Sequence, residues 1–393
     1  MTYDSLLPSL EPAWLPPSHR EWCPDHRPAI AVLMSGGVDS TVAALLLKGD
    51  GWNVLGVTMK IPTACAIAHK GVCCGGVAAF VCAELGSPLS FRDVPDALRE
   101  LGIYPFRNAY RNGRTPNPCA DCNSAIKFSA VWDSIERRFG ISALATGHYA
   151  RIDRIHGRPR LRRAKDERKD QSYFLYDVAP ERLGHLHFPL GEWSKNAVRS
   201  LARENELPAA ERKESLELCF AGEADYRNAL NGNTGIPGPI RHISGKHLGT
   251  HQGLAQFTVG QRKRLGICWE APLYVYAIDI ATNTLVVAGR DSLIARDVQA
   301  TKLRILQPER IAANALLSGQ IRSGSRPSPC TIHDYSRNSV VVRFDEGLFG
   351  PAAGQRLVLY DELGCVVAGG EIELSAEMSS ATDCKHAEIS RAT

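Results

Sequence analysis

The sequence lacks several features that would place it in well-known classes of protein. No apolar run approaches the roughly 20 residues that a membrane-spanning helix needs. Residues 1–28 are rich in proline and carry no apolar stretch typical of a secretory leader, so we expect a flexible extension there. Neither a Gly-Lys-Ser/Thr phosphate loop nor a GxGxxG fingerprint is present. These absences disfavour membrane and secreted proteins, P-loop nucleotidases and Rossmann-type dinucleotide enzymes.

Cysteine pairs at metal-binding spacing are also scarce. Of twelve cysteines, Cys119 and Cys122 alone form a CxxC pair, which argues against a tetrahedral structural zinc. An alternative set of zinc ligands is Cys65, His69, Cys73 and Cys74. Small buried residues are expected at three cysteines in apolar, strand-like contexts, namely Cys268, Cys330 and Cys365. So many cysteines without a leader predict a reducing, cytoplasmic location, where cysteines are catalytic, metal-bound or buried.

From Ala29 to about Phe220, short apolar runs alternate with helical patterns. AIAVLM (29–34) and NVLGVTMK (53–60) are typical of buried strands, and ISALATGHYA (141–150) is a strand that ends in a polar loop. AIKFSAVWDSIERRFG (125–140) is amphipathic and helical. Such alternation predicts a parallel sheet with helices on both faces, and ligands beyond the carboxyl ends of its strands. We therefore predict an α/β domain over residues 29–222.

After Phe220 the pattern changes to short strands. Glycine and proline are dense between Asn231 and Gly253, which indicates turns. From about Gly289 onward, many short apolar runs with turn signals indicate a small β-barrel. We predict a small central domain over 223–292, a C-terminal β-barrel over 293–375 and a polar tail over 376–393.

Positive charge is concentrated in two places, although the net charge is only +4. Nine Lys/Arg stand against three Asp/Glu between Arg151 and Lys169, and Arg262–Arg264 form a second cluster. Such stripes fit a polyanion such as RNA, and a solvated hairpin is the alternative. The arginines expected to contact phosphates are Arg151, Arg154, Arg158, Arg160, Arg162 and Arg163.

The segment SGGVDS, Ser35 to Ser40, lies between a predicted strand and a predicted helix. Glycines let the backbone approach an anion, and a helix N-terminus attracts phosphate. Asp39 is unexpected beside phosphates unless it binds them through a divalent cation such as Mg²⁺. A serine-glycine turn that merely caps a helix is the alternative. The segment resembles the PP-loop of the ATP pyrophosphatase superfamily, which implies an adenine nucleotide alpha hydrolase-like domain that splits ATP into AMP and pyrophosphate.

Two thiols stand at places suited to nucleophiles. Cys122 ends TPNPCADC just before the predicted helix, and a helix N-terminus stabilises a thiolate. Cys219 ends the α/β region within ESLELCF.

Six segments then resemble, in order, motifs of the tRNA-specific 2-thiouridylase (MnmA/TrmU) family. They are TPNPCADCNSAIKF (115–128), ATGHYAR (145–151), KDQSYFLY (169–176), HFPLGE (187–192), ESLELCF (214–220) and HQGLAQFTVGQRKRLGI (251–267). With SGGVDS they cover roughly residues 29 to 375. The resemblance implies a tRNA-uridine 2-sulfurtransferase that uses ATP on the wobble uridine of tRNAs for glutamate, glutamine and lysine.

The resemblance also implies roles for single positions. The nucleotide would be bound by Leu33, Met34, Ser35, Gly36, Gly37, Val38, Asp39, Ser40, Met59 and Gly147. Cys219 would carry a persulfide received from a sulfur-carrier protein, and Cys122 would release the product and leave a Cys122–Cys219 disulfide. The tRNA would be contacted by Asn117, Pro118, Cys119, His148, Lys169, Asp170, Gln171, Arg322, Ser323 and Gln355.

Two positions depart from the family pattern. Many members have aspartate where this chain has Cys119, and glycine is usual at the position of Arg264. Cys119, Cys122 and Cys219 together supply three thiolates, enough for a [4Fe–4S] cluster, so persulfide and cluster mechanisms both stay open.

Two competing functions also stay open. They are a 2-thiocytidine-type or amide-forming pyrophosphatase and a non-catalytic, metal-stabilised RNA-binding protein. We expect a monomer with no membrane partner.

Overall fold

The computed structural model describes residues 26–61, 74–212, 218–220, 230 and 235–373. Most of the predicted extension, the whole predicted tail, the alternative zinc ligands Cys65, His69 and Cys73 and the side chain of Cys74 lie outside these residues. The chain divides into two compact units. The first holds the described residues up to 104 and those from 118 to 220, and the second holds 105–117 and the described residues from 230 onward. The domain boundaries predicted above stay predictions.

The first unit is built on a five-stranded sheet whose paired strands are all parallel. Its strands are β1 (Ala29–Leu33), β2 (Asn53–Lys60), β3 (Leu89–Asp93), β4 (Leu144–Thr146) and β7 (Leu186–His187). Ile30 and Val32 of the central β1 are fully buried, as expected for a strand with both faces covered. The predicted α/β class is therefore confirmed.

In the strand order β3-β2-β1-β4-β7, successive strands are added on one side of β1 up to β3 and on its other side from β4 onward. The switch point lies between β1 and β4. Leu33 at the end of β1 is paired with Thr146 at the end of β4. Open α/β sheets bind ligands in the crevice outside the carboxyl ends at such a switch point. The segments that follow Leu33 and Thr146 are therefore the first place to look for a site.

The helices between Val38 and Glu204 belong to this unit, except Tyr104–Arg111, which lies almost wholly in the second unit. They are α1 (Val38–Gly49), α2 (Cys74–Glu84), α3 (Pro95–Leu98), α4 (Tyr104–Arg111), α5 (Pro118–Asp121), α6 (Trp132–Phe139) and α7 (Lys195–Glu204). π-Helical turns join α3 to α4 (Arg99–Ile103) and α5 to α6 (Cys122–Val131). The second junction corrects the start of the helix predicted over 125–140, because helical structure already begins at Pro118. Proline is favoured in the first turn, where its missing N–H has no intrahelical acceptor to lose.

Beside this sheet, β5 (Ala150–Ile155) and β6 (Arg158–Arg163) form an antiparallel hairpin that carries the first basic stripe. The segment predicted as one strand over 141–150 is therefore divided between β4 and the start of β5. His156 and Gly157 have φ values of +50° and +75°, which suit the left-handed conformation of a tight hairpin turn.

The second unit contains two sheets. A four-stranded sheet in the order β10-β11-β8-β9 consists of β8 (Gly238–His242), β9 (His247–His251), β10 (Tyr274–Asp279) and β11 (Thr284–Ala288). A closed six-stranded barrel in the order β12-β15-β14-β13-β16-β17 consists of β12 (Ile294–Ile305), β13 (Leu316–Gln320), β14 (Ser328–Tyr335), β15 (Ser339–Phe349), β16 (Arg356–Tyr360) and β17 (Val366–Glu373). The predicted small central domain and C-terminal barrel are confirmed.

The barrel core explains two cysteines and corrects a third. Cys330 is buried with Ile332, Val342 and Phe344 in the barrel interior, and Cys365 is also buried. Cys268 is exposed instead of buried, since it lies in the loop before β10 rather than in a strand. An apolar local context therefore does not ensure burial when the residue belongs to a loop.

The stretch from Pro105 to Asn117 packs with the second unit although it interrupts the first in sequence. Arg114 Nε donates to Glu371 Oε1 at 3.1 Å, and its Nη1 donates to Glu373 Oε2 at 2.7 Å. Gly354, with φ +90°, approaches the backbone of Thr115 so closely that a Cβ would lie 2.9 Å from its carbonyl oxygen. This arrangement has no local signal in the sequence.

Among the helices that the structure describes, none has the length and apolar character needed to traverse a lipid bilayer.

Candidate active site

The loop Ser35–Ser40 occupies the switch point between β1 and β4. Gly36 has φ +73°, a conformation that glycine adopts without strain and that turns the chain from strand into helix. Ser40 Oγ accepts from the N–H of Ser35 at 3.2 Å and donates to the carbonyl of Gly37 at 3.1 Å. The N–H groups in the first turn of α1 have no intrahelical acceptor, which makes this turn suited to an anion.

The neighbouring strand ends complete the cradle around this loop. Met34 N–H donates to Val57 O at 2.7 Å, and Thr58 Oγ1 donates to Met34 O at 3.0 Å. Met59 is half-buried at the end of β2. The turn after β1 is thus anchored to β2, the strand whose end carries Met59.

Gly147 brings the end of β4 directly against α1. A Cβ at this position would lie 2.6 Å from the N of Ser40 and 2.7 Å from the carbonyl carbon of Asp39. Both atoms belong to the backbone, so a side chain here cannot be relieved by a rotamer change. The predicted nucleotide positions Leu33 to Ser40, Met59 and Gly147 are therefore brought together at adjacent strand ends.

Asp39 makes contacts that its sequence context did not indicate. Lys195 Nζ lies 2.7 Å from both carboxylate oxygens of Asp39, and Tyr149 Oη donates to Oδ1 at 2.8 Å. Tyr149 N–H in turn donates to Gln171 Oε1 at 2.9 Å. Sequence reasoning missed Lys195 and Tyr149, because such long-range partners leave no local pattern.

A second cation also contacts the loop. Arg212 Nη1 donates to the carbonyl oxygen of Gly36 at 2.8 Å. This contact orients the carbonyl at the tightest point of the turn. Arg212 was likewise missing from the sequence-based set of site residues.

The structure brings the three motif cysteines of the first unit within electrostatic reach of one another. Cys119 and Cys219 are exposed and Cys122 is half-buried, and all three are free thiols. Although Cys219 is exposed at the surface, the protein atoms around its sulfur disfavour the charged thiolate and raise the pKa to about 11, and the charges of Cys122 and Cys119 contribute in the same direction. Burial likewise raises the pKa of Cys119 and of Cys122. The resting thiols are therefore protonated at neutral pH.

Lys127 opposes this effect at every one of the three thiols. Its charge lowers the pKa of Cys119, Cys122 and Cys219, although burial outweighs it. Its ammonium donates to Asn123 Oδ1 at 2.9 Å, and Asn123 Nδ2 donates to Phe174 O at 3.0 Å. Lys127 follows Cys122 by five residues within the π-helical segment, whose i→i+5 hydrogen bonds align residues at that spacing. Lys127 is therefore the cation that acts on all three thiols, and its hydrogen bond to Asn123 holds it in place.

His148 is neutral under physiological conditions. Burial and, to a lesser extent, the charge of Lys127 hold its pKa well below the ordinary value. Its ring centroid lies 6.0 Å from that of Phe128 and 6.1 Å from that of Phe188, and Nδ1 is 2.6 Å from Thr146 Oγ1. His148 is thus a neutral hydrogen-bonding group and not a cation for phosphate.

The donor sets do not match the metals that the sequence left open. Both oxygens of Asp39 accept hydrogen bonds from protein groups, so the carboxylate is not presented as a Mg²⁺ ligand. Within the ranges that the structure describes, no three His, Cys, Asp or Glu side chains are arranged to hold a metal ion. The three thiols interact electrostatically, but their side chains are not arranged as a set of metal ligands.

The expected tRNA-contacting positions fall into both units. In the first unit, Asp170 accepts from Arg163 Nε at 3.0 Å and from Ala164 N–H at 2.9 Å, and its side chain is only 5% exposed. Lys169 and Gln171 flank it and are half-buried, and Pro118 and Cys119 begin helix α5. Asp170 therefore orders this loop from within.

In the second unit, Gln355 Nε2 donates to the carbonyls of Thr115 and Pro116 at 3.2 and 3.3 Å, next to Asn117. Arg322 donates to Gly350 O, and its guanidinium lies over the ring of Phe349 at 5.9 Å. Ser323 is exposed beside it. These positions shape loops of the second unit.

The basic hairpin is partly neutralised by acids. Arg162 pairs with Asp153 at 2.8 Å, and Arg151 pairs with Glu192 at 2.9 Å. Arg154 and Arg158 are exposed. The basic stripe forms an antiparallel hairpin. Its exposed arginines, Arg154 and Arg158, are best placed to contact a polyanion.

A surface cavity of about 580 Å³ lies at the opposite end of the sheet, where the strands begin. Its lining includes Ala29, Trp52 and Ala143, which are at or just before the starts of β1, β2 and β4. No residue of Ser35–Ser40 and none of the motif cysteines lines it. This cavity is therefore separate from the candidate site at the carboxyl ends of the strands.

Comparison with protein families finds three successive matches. Residues 28–223 match a model described as tRNA methyl transferase HUP domain, and residues 230–289 match its PRC-barrel domain. Residues 295–372 match an aminomethyltransferase beta-barrel domain.

Among curated proteins, the chain is 42% identical to tRNA-specific 2-thiouridylase MnmA 1 of Syntrophus aciditrophicus (strain SB), over 88% of this chain and 92% of that protein. It is 40% identical to the MnmA of Syntrophotalea carbinolica, over 87% of this chain and 98% of that protein. A solved structure, U34-tRNA thiolase NcsA from Methanococcus maripaludis with its [4Fe–4S] cluster, is 18% identical. It covers 55% of this chain and 68% of its own, with a TM-score of 0.32, which is too low to support an inference.

Proposed function

Because this chain belongs to the MnmA family of tRNA-specific 2-thiouridylases, we propose that it replaces O2 of the wobble uridine in tRNA with sulfur, at the expense of ATP. The observation that carries the proposal is that Cys119 and Cys122 interact electrostatically with Cys219. All three lie in the same unit as the loop Ser35–Ser40. The acceptors are tRNAs for glutamate, glutamine and lysine, and the enzyme acts as a monomer in the cytoplasm.

The first step activates the uridine. The loop Ser35–Ser40 and the first turn of α1 bind the phosphates of ATP through backbone N–H groups, with Met59 and Gly147 at its borders. O2 of the uridine attacks the α-phosphorus, pyrophosphate leaves, and the base becomes an O-adenylated intermediate. Adenylation turns a poor leaving group into AMP.

The second step forms the carbon–sulfur bond. Cys219 receives a persulfide from a sulfur-carrier protein, and the terminal sulfur attacks C2 while AMP departs with the former O2. A persulfide is more acidic than its parent thiol, so it ionises where the pKa of Cys219 itself is raised to about 11. The charge of Lys127, which lowers the pKa of this thiol, favours the anion further.

The third step releases the product by thiol–disulfide exchange. The thiolate of Cys122 attacks Sγ of Cys219, the S–S bond to the base-bound sulfur breaks, and 2-thiouridine leaves. A Cys122–Cys219 disulfide remains, and a cellular dithiol reductant restores both thiols. The electrostatic coupling of Cys219 to Cys122 supports this assignment.

The tRNA is held by positions in both units. We propose contacts from Asn117, Pro118 and Cys119 to the target base, and from His148, Lys169–Gln171, Arg322, Ser323 and Gln355 to the rest of the anticodon arm. The base leaves its stack to reach the adenylating site. Exposed Arg154 and Arg158 add phosphate contacts, so affinity falls steeply with salt.

A [4Fe–4S] cluster on the three thiols is the competing mechanism. Iron and sulfide analysis of anaerobically purified protein separates the two, since full activity of iron-free protein excludes the cluster. We favour the persulfide, because the electrostatic coupling of Cys219 to Cys122 suits the exchange step that this mechanism requires.

The deciding experiment measures 2-thiouridine in tRNA after incubation with ATP and a persulfide donor. Cys122→Ser and Cys219→Ser each abolish product, whereas Cys268→Ser, at an exposed cysteine outside the motifs, leaves it unchanged. Mass analysis of the nucleosides distinguishes sulfur exchange from methyl addition. Full activity of either motif variant contradicts the mechanism, and absence of pyrophosphate release on addition of tRNA favours a non-catalytic RNA-binding protein.

A further inference from the structure

The carboxylate of Asp39 accepts hydrogen bonds from two protein side chains. Lys195 Nζ is equidistant from Oδ1 and Oδ2 at 2.7 Å, and Tyr149 Oη is 2.8 Å from Oδ1. The Lys195 side chain is only 9% exposed, against 32% for Asp39. A lysine buried to this degree needs a compensating charge, and Asp39 supplies it.

Both donors come from backbone that is itself held in place. Lys195 begins helix α7, which Ser194 caps by accepting from Ala197 N–H, and Lys195 N–H donates to Asp166 Oδ2 at 3.1 Å. Tyr149 exchanges hydrogen bonds with Gln171, through its N–H to Oε1 and its carbonyl to the Gln171 N–H. The two donors are therefore positioned before any ligand arrives, which lowers the entropic cost of ordering them.

A bare carboxylate in this place would work against a nucleotide. Asp39 lies in the first turn of α1, where the helix dipole favours negative charge. The phosphates of ATP would occupy the same positively polarised helix end. Like charges a few ångströms apart repel strongly at a partly buried site. The ammonium of Lys195 cancels the charge of Asp39 and removes this repulsion.

We propose that Lys195 is the cation that serves Asp39 during nucleotide binding, in place of a divalent metal on this carboxylate. Tyr149 fixes the orientation of the pair, and both act as positioning residues. The inference rests on the proposed binding of ATP to Ser35–Ser40. Any Mg²⁺ then enters on the phosphate oxygens of the nucleotide and not through Asp39.

The test measures the dissociation constant of ATP by titration calorimetry, in EDTA and in excess Mg²⁺. Asp39→Asn retains the same ratio of the two constants as the wild-type chain, because the metal does not depend on this carboxylate. Lys195→Met weakens binding by about tenfold to a hundredfold, because an uncompensated carboxylate faces the phosphates. Lys195→Arg retains most of the affinity, since the positive charge remains.

The double variant Asp39→Asn/Lys195→Met separates electrostatics from structure. Removal of both charges restores most of the affinity that Lys195→Met loses. Lys165→Met is the matched control, because Lys165 is 70% exposed and lies 3.9 Å from Glu192. It changes neither constant.

Three outcomes overturn the inference. If Asp39→Asn abolishes the effect of Mg²⁺ on ATP affinity, Asp39 is a metal ligand. If the double variant binds as weakly as Lys195→Met, Lys195 only supports the fold. If the wild-type chain binds no ATP in either buffer, the proposed function fails and the inference with it. Should Lys195→Met not fold, the metal dependence of Asp39→Asn decides alone.

Discussion

At the scale of single residues, chemistry here depends on the surroundings of each group more than on its identity. Cys219 and His148 belong to recognisable motifs, yet burial shifts the pKa of the thiol upward to about 11 and that of the imidazole well below its ordinary value. Both shifts favour neutral forms. A thiol kept neutral at rest reacts slowly with alkylating and oxidising agents.

Alkylation of Cys219 tests this directly. We expect its rate of reaction with iodoacetamide, followed by peptide mass spectrometry, to keep rising beyond pH 9 up to about pH 11. The pKa lies about two pH units above the ordinary thiol value of 9.0, so the thiolate is roughly a hundredfold scarcer at neutral pH. Lys127→Met slows the reaction at fixed pH, whereas Lys127→Arg does not. A plateau near pH 9 in the folded chain, as in the urea-unfolded control, contradicts the prediction.

Arg264 has a backbone conformation that suits glycine better than arginine. Its φ of +63° lies in the left-handed region, which costs most L residues about 1–2 kcal/mol. We expect Arg264→Val to unfold at lower urea than Arg264→Gly, by about 1 kcal/mol in the free energy of unfolding. At the neighbouring, exposed Arg262, where φ is not positive, the same pair of substitutions serves as control and the order is reversed. Equal stabilities of the two Arg264 variants argue against this account.

At the scale of elements, two strand ends and one helix build the proposed nucleotide site. β1 and β4 pair in parallel at the switch point, so the segments after Leu33 and Thr146 converge on the N-terminus of α1. Gly147 permits this convergence, because its Cα lies against the backbone of Asp39 and Ser40.

Gly147→Ala therefore affects both the fold and ATP binding. The added methyl group forces the first turn of α1 away from β4, which we expect to cost about 1–3 kcal/mol of stability and to weaken ATP binding by tenfold or more, about 1.4 kcal/mol. Gly49→Ala, in the same helix with no atom within 4 Å of its Cβ, is the control and leaves ATP binding unchanged. Calorimetric titration with ATP gives both values. Unaltered affinity of Gly147→Ala shows that this contact is not needed.

At the scale of the whole molecule, a stretch that interrupts the first unit in sequence belongs to the second. Arg114 joins residues 105–117 to β17 through Glu371 and Glu373. Lys302 also donates to Glu371, at 2.8 Å. Burial opposes ionisation of Glu371, but Lys302, Arg356 and Arg114 outweigh it and hold the pKa of the carboxyl below its usual value.

The sign of this shift predicts an acid-sensitive contribution. A carboxyl whose pKa is lower in the folded state stabilises fully above its unfolded pKa of about 4.5 and loses that effect as pH falls. We expect Glu371→Gln to cost about 2 kcal/mol at pH 7, with the difference from wild type shrinking below about pH 4. Thermal unfolding across pH measures this, with Glu346→Gln, at an exposed carboxylate, as control. A difference that is independent of pH excludes the ionic explanation.

The sequence alone determined what depends on local pattern. The apolar run before SGGVDS, the alternation of strands and helices, the later switch to short strands and the order of motifs predicted the α/β unit, the barrel and the family, all of which are confirmed. Each of these signals lies within a few turns of chain, where side-chain periodicity reports burial.

Tertiary structure alone decided which distant groups meet. Lys195 reaches Asp39 from 156 residues away, and Arg212 reaches Gly36 from 176. Lys127 becomes the common cation of three thiols only after Cys219 returns to the helix that carries Cys122. Such contacts leave no periodic trace, because they follow from the order of strands in the sheet. The physical reason is that the carboxyl ends of parallel strands all lie at the same end of the sheet, whatever the separation of the strands along the chain.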